Sequence, residues 1–311
     1  MEKTNQDRKI KVGVIFGGRS GEHEVSLMSA QSVIGALDTD RYEIFEIGIT
    51  KNGQWIAGDV KARLLEGGGE AHLTTLQPAP ETSALLKVEQ QEETVSRHSE
   101  ITELDVVLPI LHGTYGEDGT LQGVLELADL PYAGAGVVGS AVGMDKAIFK
   151  YVMQANGIPV TDWYLVTSNI WTQDSQATIA KIEAQLQYPV FVKPANLGSS
   201  VGISKCDNQA ELLAGIEDAL RYDRRAVVEQ GINARELEVA VLGNENPVAS
   251  IVGEIRPRRE FYDYVAKYMA APGSDDESEL LIPAEIDAET SAVVRALAID
   301  AYKAIDCAGM G

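Results

Sequence analysis

The stretch VFVKPANLGSSVGISK, Val190 to Lys205, decides how this chain is read. Its opening VFVKP is an apolar strand with a lysine near its end. ANLGSSVG is too small and glycine-rich to build core, yet GISK resumes a strand pattern at once. Two readings stand on these residues. One is a hairpin with an ordinary turn of small residues. The other is a soft loop that closes over phosphate, with the Lys193 ammonium at its mouth.

Working outward, GSAVGMDKAIFKYVMQANGIPV predicts a helix that starts near Met144 and stops at Asn156-Gly157 ahead of Pro159. DWYLV reads as a strand, IAKIEAQL as a helix and QAELLAGIEDALRY as an amphipathic helix. Three strands in succession follow, AVVEQGI, RELEVAVLG and PVASIVGEI, the second alternating Leu237, Val239 and Val241. YVAKYMAAPGSDDESEL is a polar, acidic loop, and AETSAVVRALAIDAYKAID is a helix of about five turns. At the other end, KVGVIFGG (Lys11–Gly18) is a strand running into a tight loop. Val25, Met28, Val33, Ile34 and Leu37 then recur at helical spacing, and YEIFEIGIT is a second strand. Strand, helix, strand is a βαβ unit, and such units build parallel sheets. From Lys61 to Glu103 the pattern is turn-rich and polar, an exposed excursion or small hairpin without function. DVVLPILHG is a further strand and TLQGVLELADL a helix, with a domain boundary near Leu130 to Gly136.

Composition narrows the classes. A chain of 311 residues with 45% hydrophobic content has room for two cored domains. A formal net charge of −21 argues against nucleic acid or an anionic membrane as partner, while leaving room for a small anion held by local lysines. Cys206 and Cys307 form no disulfide framework and no metal-type pair. The apolar run near the N-terminus is too short for a signal segment or a span, so a soluble cytoplasmic protein is expected.

Four places could carry chemistry. GGRSGEHEVS (Gly17–Ser26) lies between strand and helix, where a Rossmann fold holds a dinucleotide. The glycine spacing is wrong for that, which disfavours a dehydrogenase. Glu22 sits where backbone would approach pyrophosphate; it suits an ammonium group, or with Glu24 merely complements the helix N-terminus. HGTYGEDGTLQG (His112–Gly123) follows a strand at the edge where open α/β sheets bind ligands. A lone strand-end histidine is commonly structural, but a glycine-rich loop that also holds Glu117 and Asp118 is harder to dismiss. Lys146, Lys193 and Lys267 compete with the surface default for lysine, and Lys193 stands out between core-like Val190, Val192 and the glycine loop. Glu229 ends one strand and Glu236 opens the next beside Glu238; these are solvated edge charges, or acceptors for an adenine amino group and ribose hydroxyls.

Taken together, HGTYGEDGTLQG, GGRSGEHEVSLMS, MDKAIFK, VKPANLGSSVGISK, VVEQGINARELEVAVLG and FYDYVAKYM resemble the D-alanine–D-alanine ligases, of the ATP-grasp fold, over almost the whole chain. The resemblance implies an α/β architecture: a Rossmann-like substrate-binding domain over 1–130, a central ATP-grasp subdomain over 131–225 and an incomplete C-terminal subdomain over 226–311. It implies an ATP-dependent ligase that joins two D-alanines through a D-alanyl phosphate for peptidoglycan precursors, with Mg2+ or Mn2+ and as a homodimer. Glu22 would hold the ammonium of the first D-alanine, with His112 also at the substrate. Lys146 and Lys193 would touch ATP phosphates, and Ser199, Ser200, Val201 and Gly202 would close over them. Ser199 would bond toward Glu22 and Tyr268. Glu229, Gln230 and Ile232 would border the adenine, Glu236 the ribose, and Lys267 would reach phosphate from a mobile loop. Tyr268 resembles the dipeptide-forming type; phenylalanine there accompanies a D-lactate acceptor. The family continues past Gly311 with an Arg-x-Asp and then a Glu-x-Asn segment that carry the transition-state arginine and the metal ligands. The expectation is therefore that the chain as written is catalytically incomplete. The alternatives are a non-catalytic nucleotide-binding relative and a D-alanine–D-lactate ligase.

Overall fold

A computed structural model describes residues 8–60, 63–64, 70–77, 79, 83–91, 95–198, 200–257 and 278–311. The chain forms two compact units that divide after Val137.

In the first unit, strand β1 (Ile10–Gly17) is buried from Val12 onward, so it needs partners on both edges and cover on both faces. Helix α1 (His23–Ala36) leads to β2 (Tyr42–Ile49), which pairs parallel with β1, and this is the expected βαβ unit. Beyond β2 the sheet continues through β3 (Trp55–Gly58), β4 (Ala71–Leu76), β5 (Ala84–Gln91) and β6 (Val95–Glu103), every step antiparallel. Strand β7 (Val106–Leu111) pairs parallel with the other edge of β1 and is followed by α2 (Thr120–Leu127). The order is β6-β5-β4-β3-β2-β1-β7, so the sheet is parallel only across β2-β1-β7.

Among the described residues of 61–103, β4 to β6 pair antiparallel, as the hairpin alternative expects, but they extend the sheet and part of them enters the core. Leu76 and Leu85 join the core formed by Ile15, Ile47, Leu121 and Leu125, and Ala84 is buried as well. The strands look polar because polar side chains face inward and find partners there. The Thr74 hydroxyl donates to Leu86 O at 2.7 Å, and Lys11 Nζ donates to Thr102 Oγ1 at 2.7 Å. Alternation along β1 separates the faces: Ile15 meets α2, while Val12, Val14 and Phe16 meet Leu27 and Ala30 of α1.

The division falls at the first residue of α3 (Val137–Met144), a helix the sequence reading does not anticipate, and α4 (Lys146–Ala155) follows in the second unit. Then come β8 (Trp163–Thr167), a short α5 (Ser168–Gln173), α6 (Ser175–Gln185), β9 (Val190–Pro194), β10 (Ser204–Cys206), α7 (Gln209–Tyr222) and β11 (Arg225–Gln230). Strands order as β10-β9-β11-β8, all antiparallel, and the VFVKP…GISK hairpin is realised as β9 and β10. Val190, Val192, Ala226 and Val228 turn one face to Ile179 and Ile182 of α6 and Leu212 and Ile216 of α7. Trp163 and Val227 turn the other face to Ala147 of α4.

The two later runs, each expected as one strand, split in two. RELEVAVLG becomes β12 (Glu236–Glu238) and β13 (Val241–Leu242); PVASIVGEI becomes β14 (Val248–Ala249) and β15 (Gly253–Arg256). β12 pairs with β15 and β13 with β14, so the chain changes partner near Ala240, whose N–H donates to Ser250 Oγ at 3.1 Å. Alternation runs on across the switch and hides it. β16 (Glu279–Leu281) completes a sheet of order β12-β15-β16, and α8 (Ala288–Ala304) is the long last helix. Most of the acidic loop lies in 258–277, outside the described residues. Among the described residues no helix is long and apolar enough to cross a membrane.

Candidate functional site

The pairing of β9 with β11 sets Lys193 opposite Val227. Glu229 is two residues further along β11, on the same face as Val227, so Lys193 and Glu229 are diagonal neighbours on the face turned toward α4. The Lys193 ammonium donates to Glu229 Oε2. Lys150 Nζ lies 3.0 Å from the other oxygen, Oε1. Lys150 follows Lys146 by one helical turn and shares its face of α4. Lys146 Nζ donates to Leu197 O at 2.5 Å, and its backbone N–H donates to Ala195 O at 2.9 Å, which ties the helix start to the glycine loop. Asp145 fixes the same helix start: it accepts from Ala147 N and Ile148 N and pairs with Arg225.

The charges respond to this enclosure. Burial, aided by the neighbouring Lys193 charge, lowers Lys146 to about 8. Burial alone would raise the Glu229 carboxyl, but Lys193 and Lys150 outweigh it and hold the pKa below the usual carboxylate range. Glu229 stays ionised, with three ammoniums around one carboxylate. Such an excess of positive charge, shielded from water, favours an anion of more than one charge.

The loop over this cluster is built to bend. Ser200 takes φ +58°, and Gly202 takes φ +68° with its Cα packed so that a Cβ would come within 2.7 Å of the Tyr222 ring and 2.9 Å of Pro194. Only glycine fits there. Ser200 and Lys193 line a groove with Phe191, Ile232, Arg235 and Glu236. Ile232 and Glu236 are exposed. The Gln230 amide is committed elsewhere: it donates to Gln187 O and accepts from Gln187 N, both at 2.8 Å. Arg235 grips Glu254 through two bonds of 2.6 Å, and with Arg256 it holds that carboxyl down at about 2.

In the first unit the loops after β1 and β7 meet. Glu22 precedes α1 and is 7% exposed, but its side chain does not cap the helix, and Glu24 instead pairs with Lys51. Gly113 lies against it: a Cβ there would come within 2.5 Å of Glu22 Oε2. His112 Nε2 and Ser29 Oγ are 3.1 Å apart. Glu117 Oε2 accepts from Gly113 N at 2.6 Å. Crowding by protein raises the Glu117 carboxyl, and the Glu22 charge adds to the effect. Asp118 accepts from Tyr115 N and Thr120 N and so holds the loop's shape. Two neighbouring carboxylates beside an imidazole suit a small ligand with an ammonium group.

Val201 also belongs to the glycine loop, its N–H donating to Gly198 O at 3.3 Å. Ser199, Lys267 and Tyr268 lie outside the described residues. Among the described residues there is no group of three or more His, Cys, Asp or Glu that could hold a metal ion. Sequence reasoning missed Lys150 and gave Glu117 no role of its own. The spacing of Lys150 from Lys146 was a usable signal; the pairing with Glu229 was not, because it depends on how α4 packs on the sheet.

The family model described as the D-ala D-ala ligase N-terminus matches residues 11–135, and that of the D-ala D-ala ligase C-terminus matches residues 152–311. The chain is 44% identical over 306 residues to a D-alanine–D-alanine ligase of Natranaerobius thermophilus, covering 97% of this chain and 80% of the relative. It is 49% identical over 305 residues to that of Thermoanaerobacter pseudethanolicus, covering 97% and 82%. Among solved structures, the VanG D-Ala:D-Ser ligase from Enterococcus faecalis superposes with a TM-score of 0.82 at 35% identity, covering 97% of this chain and 84% of that one. The D-alanine-D-alanine ligase from Coxiella burnetii gives 0.77 at 32% identity, covering 97% and 79%.

Proposed function

The chain belongs to the D-alanine–D-alanine ligase family, and from that premise we propose how its residues perform ATP-dependent joining of two D-alanines. The protein is an ATP-dependent ligase of cell-wall synthesis with the ATP-grasp fold, and ATP and D-alanine are its substrates. The observation that carries the nucleotide half is the enclosed cluster of Lys146, Lys150 and Lys193 around Glu229.

In this reading Lys146 and Lys193 neutralise ATP phosphates, and Ser199, Ser200, Val201 and Gly202 fold over them. Glu229, Gln230 and Ile232 border the adenine, and exposed Glu236 takes the ribose hydroxyls. Because the Gln230 amide is already bonded to Gln187, the base meets main chain and the Ile232 side chain there. Lys267 adds a further cation. Glu22 holds the ammonium of the first D-alanine with His112 beside it. We propose Mg2+ or Mn2+ as the cation that accompanies ATP. When bound, that cation would neutralise phosphate charge beside the lysines; among the described residues no group of three or more His, Cys, Asp or Glu stands ready to hold it.

The chemistry follows from charge. A carboxylate oxygen of one D-alanine attacks the γ-phosphorus, the bond to ADP breaks, and an acyl phosphate forms. Phosphoryl transfer of this kind depends on positioning and charge neutralisation, which the lysines and backbone N–H groups supply. The free amine of the second D-alanine then attacks the acyl carbon, the C–O bond to phosphate breaks, and the amine proton is released. A closed loop keeps water from hydrolysing the intermediate first. We further propose a cytoplasmic homodimer.

Supplying ATP, a divalent cation and D-alanine, and identifying the product by mass, tests this reading. ADP release in step with D-alanyl-D-alanine is expected. ADP released only with D-lactate or D-serine as second substrate would overturn it in favour of a depsipeptide or D-serine ligase.

A further inference from the structure

Lys150 is the charged group that the roles above leave over. It is 8% exposed, whereas lysine by default keeps its ammonium in water. Burying an ammonium is costly unless it is paired, and here its close charged partner is Glu229 Oε1, with Thr161 O at 3.5 Å. Glu229 offers its other oxygen to Lys193. The two lysines thus take one oxygen each. Lys193 lines the groove beside Ser200, while Lys150 lines an adjoining cavity with Lys146, Thr161 and Glu229, and Ile232 borders both.

We propose that Lys150 is a positioning residue for the nucleotide: by occupying Oε1 it fixes the Glu229 carboxylate so that Oε2 holds the Lys193 ammonium at the groove. Without Lys150, Lys193 is, among the described residues, the one ammonium still bonded to the carboxylate, because Lys146 donates to Leu197 O. The carboxylate turns, both oxygens close on that one ammonium, and Lys193 is drawn away from the phosphate it should meet. The inference rests on the reading of Lys193 as a phosphate contact.

The test is calorimetric titration of ADP into the wild type and the variants Lys150→Met, Lys150→Gln, Lys150→Arg, Glu229→Gln, Lys150→Met/Glu229→Gln and Lys193→Met, with KM for D-alanine measured alongside. Lys150→Met and Lys150→Gln should weaken ADP roughly tenfold, the loss expected for one charge-assisted bond, and leave KM for D-alanine unchanged. Lys150→Arg should recover most of the affinity, because it keeps the charge. In the Glu229→Gln background Lys150→Met should add nothing, since the two act through one path. Should Lys150→Met fail to fold, Lys150→Gln and Lys150→Arg carry the same comparison. Wild-type ADP affinity in the Lys150 variants, or losses that multiply in the double variant, overturns the proposal while a weakened Lys193→Met leaves the phosphate reading standing. Wild-type affinity in Lys193→Met overturns the phosphate reading itself.

Discussion

Replacing Gly113 by alanine gives a worked test of the D-alanine half. Gly113 takes φ +75°, and an added Cβ would sit 2.5 Å from Glu22 Oε2 and 3.2 Å from the Ser20 Cβ. Comfortable carbon–heavy-atom separations begin near ~3.4 Å, so the carboxylate or the loop must yield by about 0.9 Å. Left-handed backbone costs an L-residue about 1–2 kcal/mol as well. Gly157 separates the two effects. Its φ is +71°, and nothing lies within 4 Å of the position a Cβ would take. Gly113→Ala and Gly157→Ala should therefore lose similar backbone stability, read as a fall in Tm of roughly 2–4 °C per kcal/mol. Only Gly113→Ala moves Glu22, and a misplacement near 1 Å costs up to about a hundredfold where positioning matters. Steady-state kinetics should show KM for D-alanine raised at least about tenfold in Gly113→Ala, with KM for ATP unchanged. Equal D-alanine kinetics in the two variants would refute the assignment of Glu22 as the ammonium contact.

Three further outcomes are expected. Lys146 titrates near 8 in the free protein, below its value in the unfolded chain, so above that pH it is losing the proton that an anion needs. ADP affinity should fall by up to about tenfold per pH unit above 8, with proton uptake on binding that calorimetry in two buffers detects and that Lys146→Met abolishes. By the same linkage the unfolded chain holds more protons from pH 8 upward, so the Lys146 contribution to stability rises with pH there. Leu85 is 1% exposed, and Leu85→Ala should cost about 2–5 kcal/mol in urea unfolding, against under ~0.5 for a residue of a solvated excursion. Asp145→Ala removes both a helix cap and the partner of Arg225, a loss of roughly 3–5 kcal/mol, while Asp145→Asn keeps the cap and should cost less by thermal melting.

The parts of the fold legible in sequence are those whose burial is one-sided and local. β1, α1 and β2 show an apolar run, a helical period and a second run, and the elements form where read, although Met28 of that period is exposed and Leu27 and Ala30 supply the buried face of α1. β4 to β6 were missed because Thr74 and Thr102 look like surface residues, yet both are buried and their hydroxyls are bonded to distant chain. No local pattern reports a partner that lies on another strand. The same limit governs the site. The glycine loop and Lys193 announce themselves, but the Lys193–Glu229 pair spans 36 residues and exists only through the β9–β11 register. Lys150 enters because Ala147 of α4 packs against Val227 and carries the next turn over the sheet. Glu22 stood out from its place before a helix; its closeness to Gly113 required two loops to meet.

The central claim is that the D-alanine carboxylate itself takes the γ-phosphoryl group before the peptide bond forms. D-Alanine labelled with 18O at both carboxylate oxygens tests it most directly, with mass analysis of the released phosphate. The account predicts one labelled oxygen in the phosphate for each dipeptide made. Phosphate free of label, alongside dipeptide formation, contradicts it.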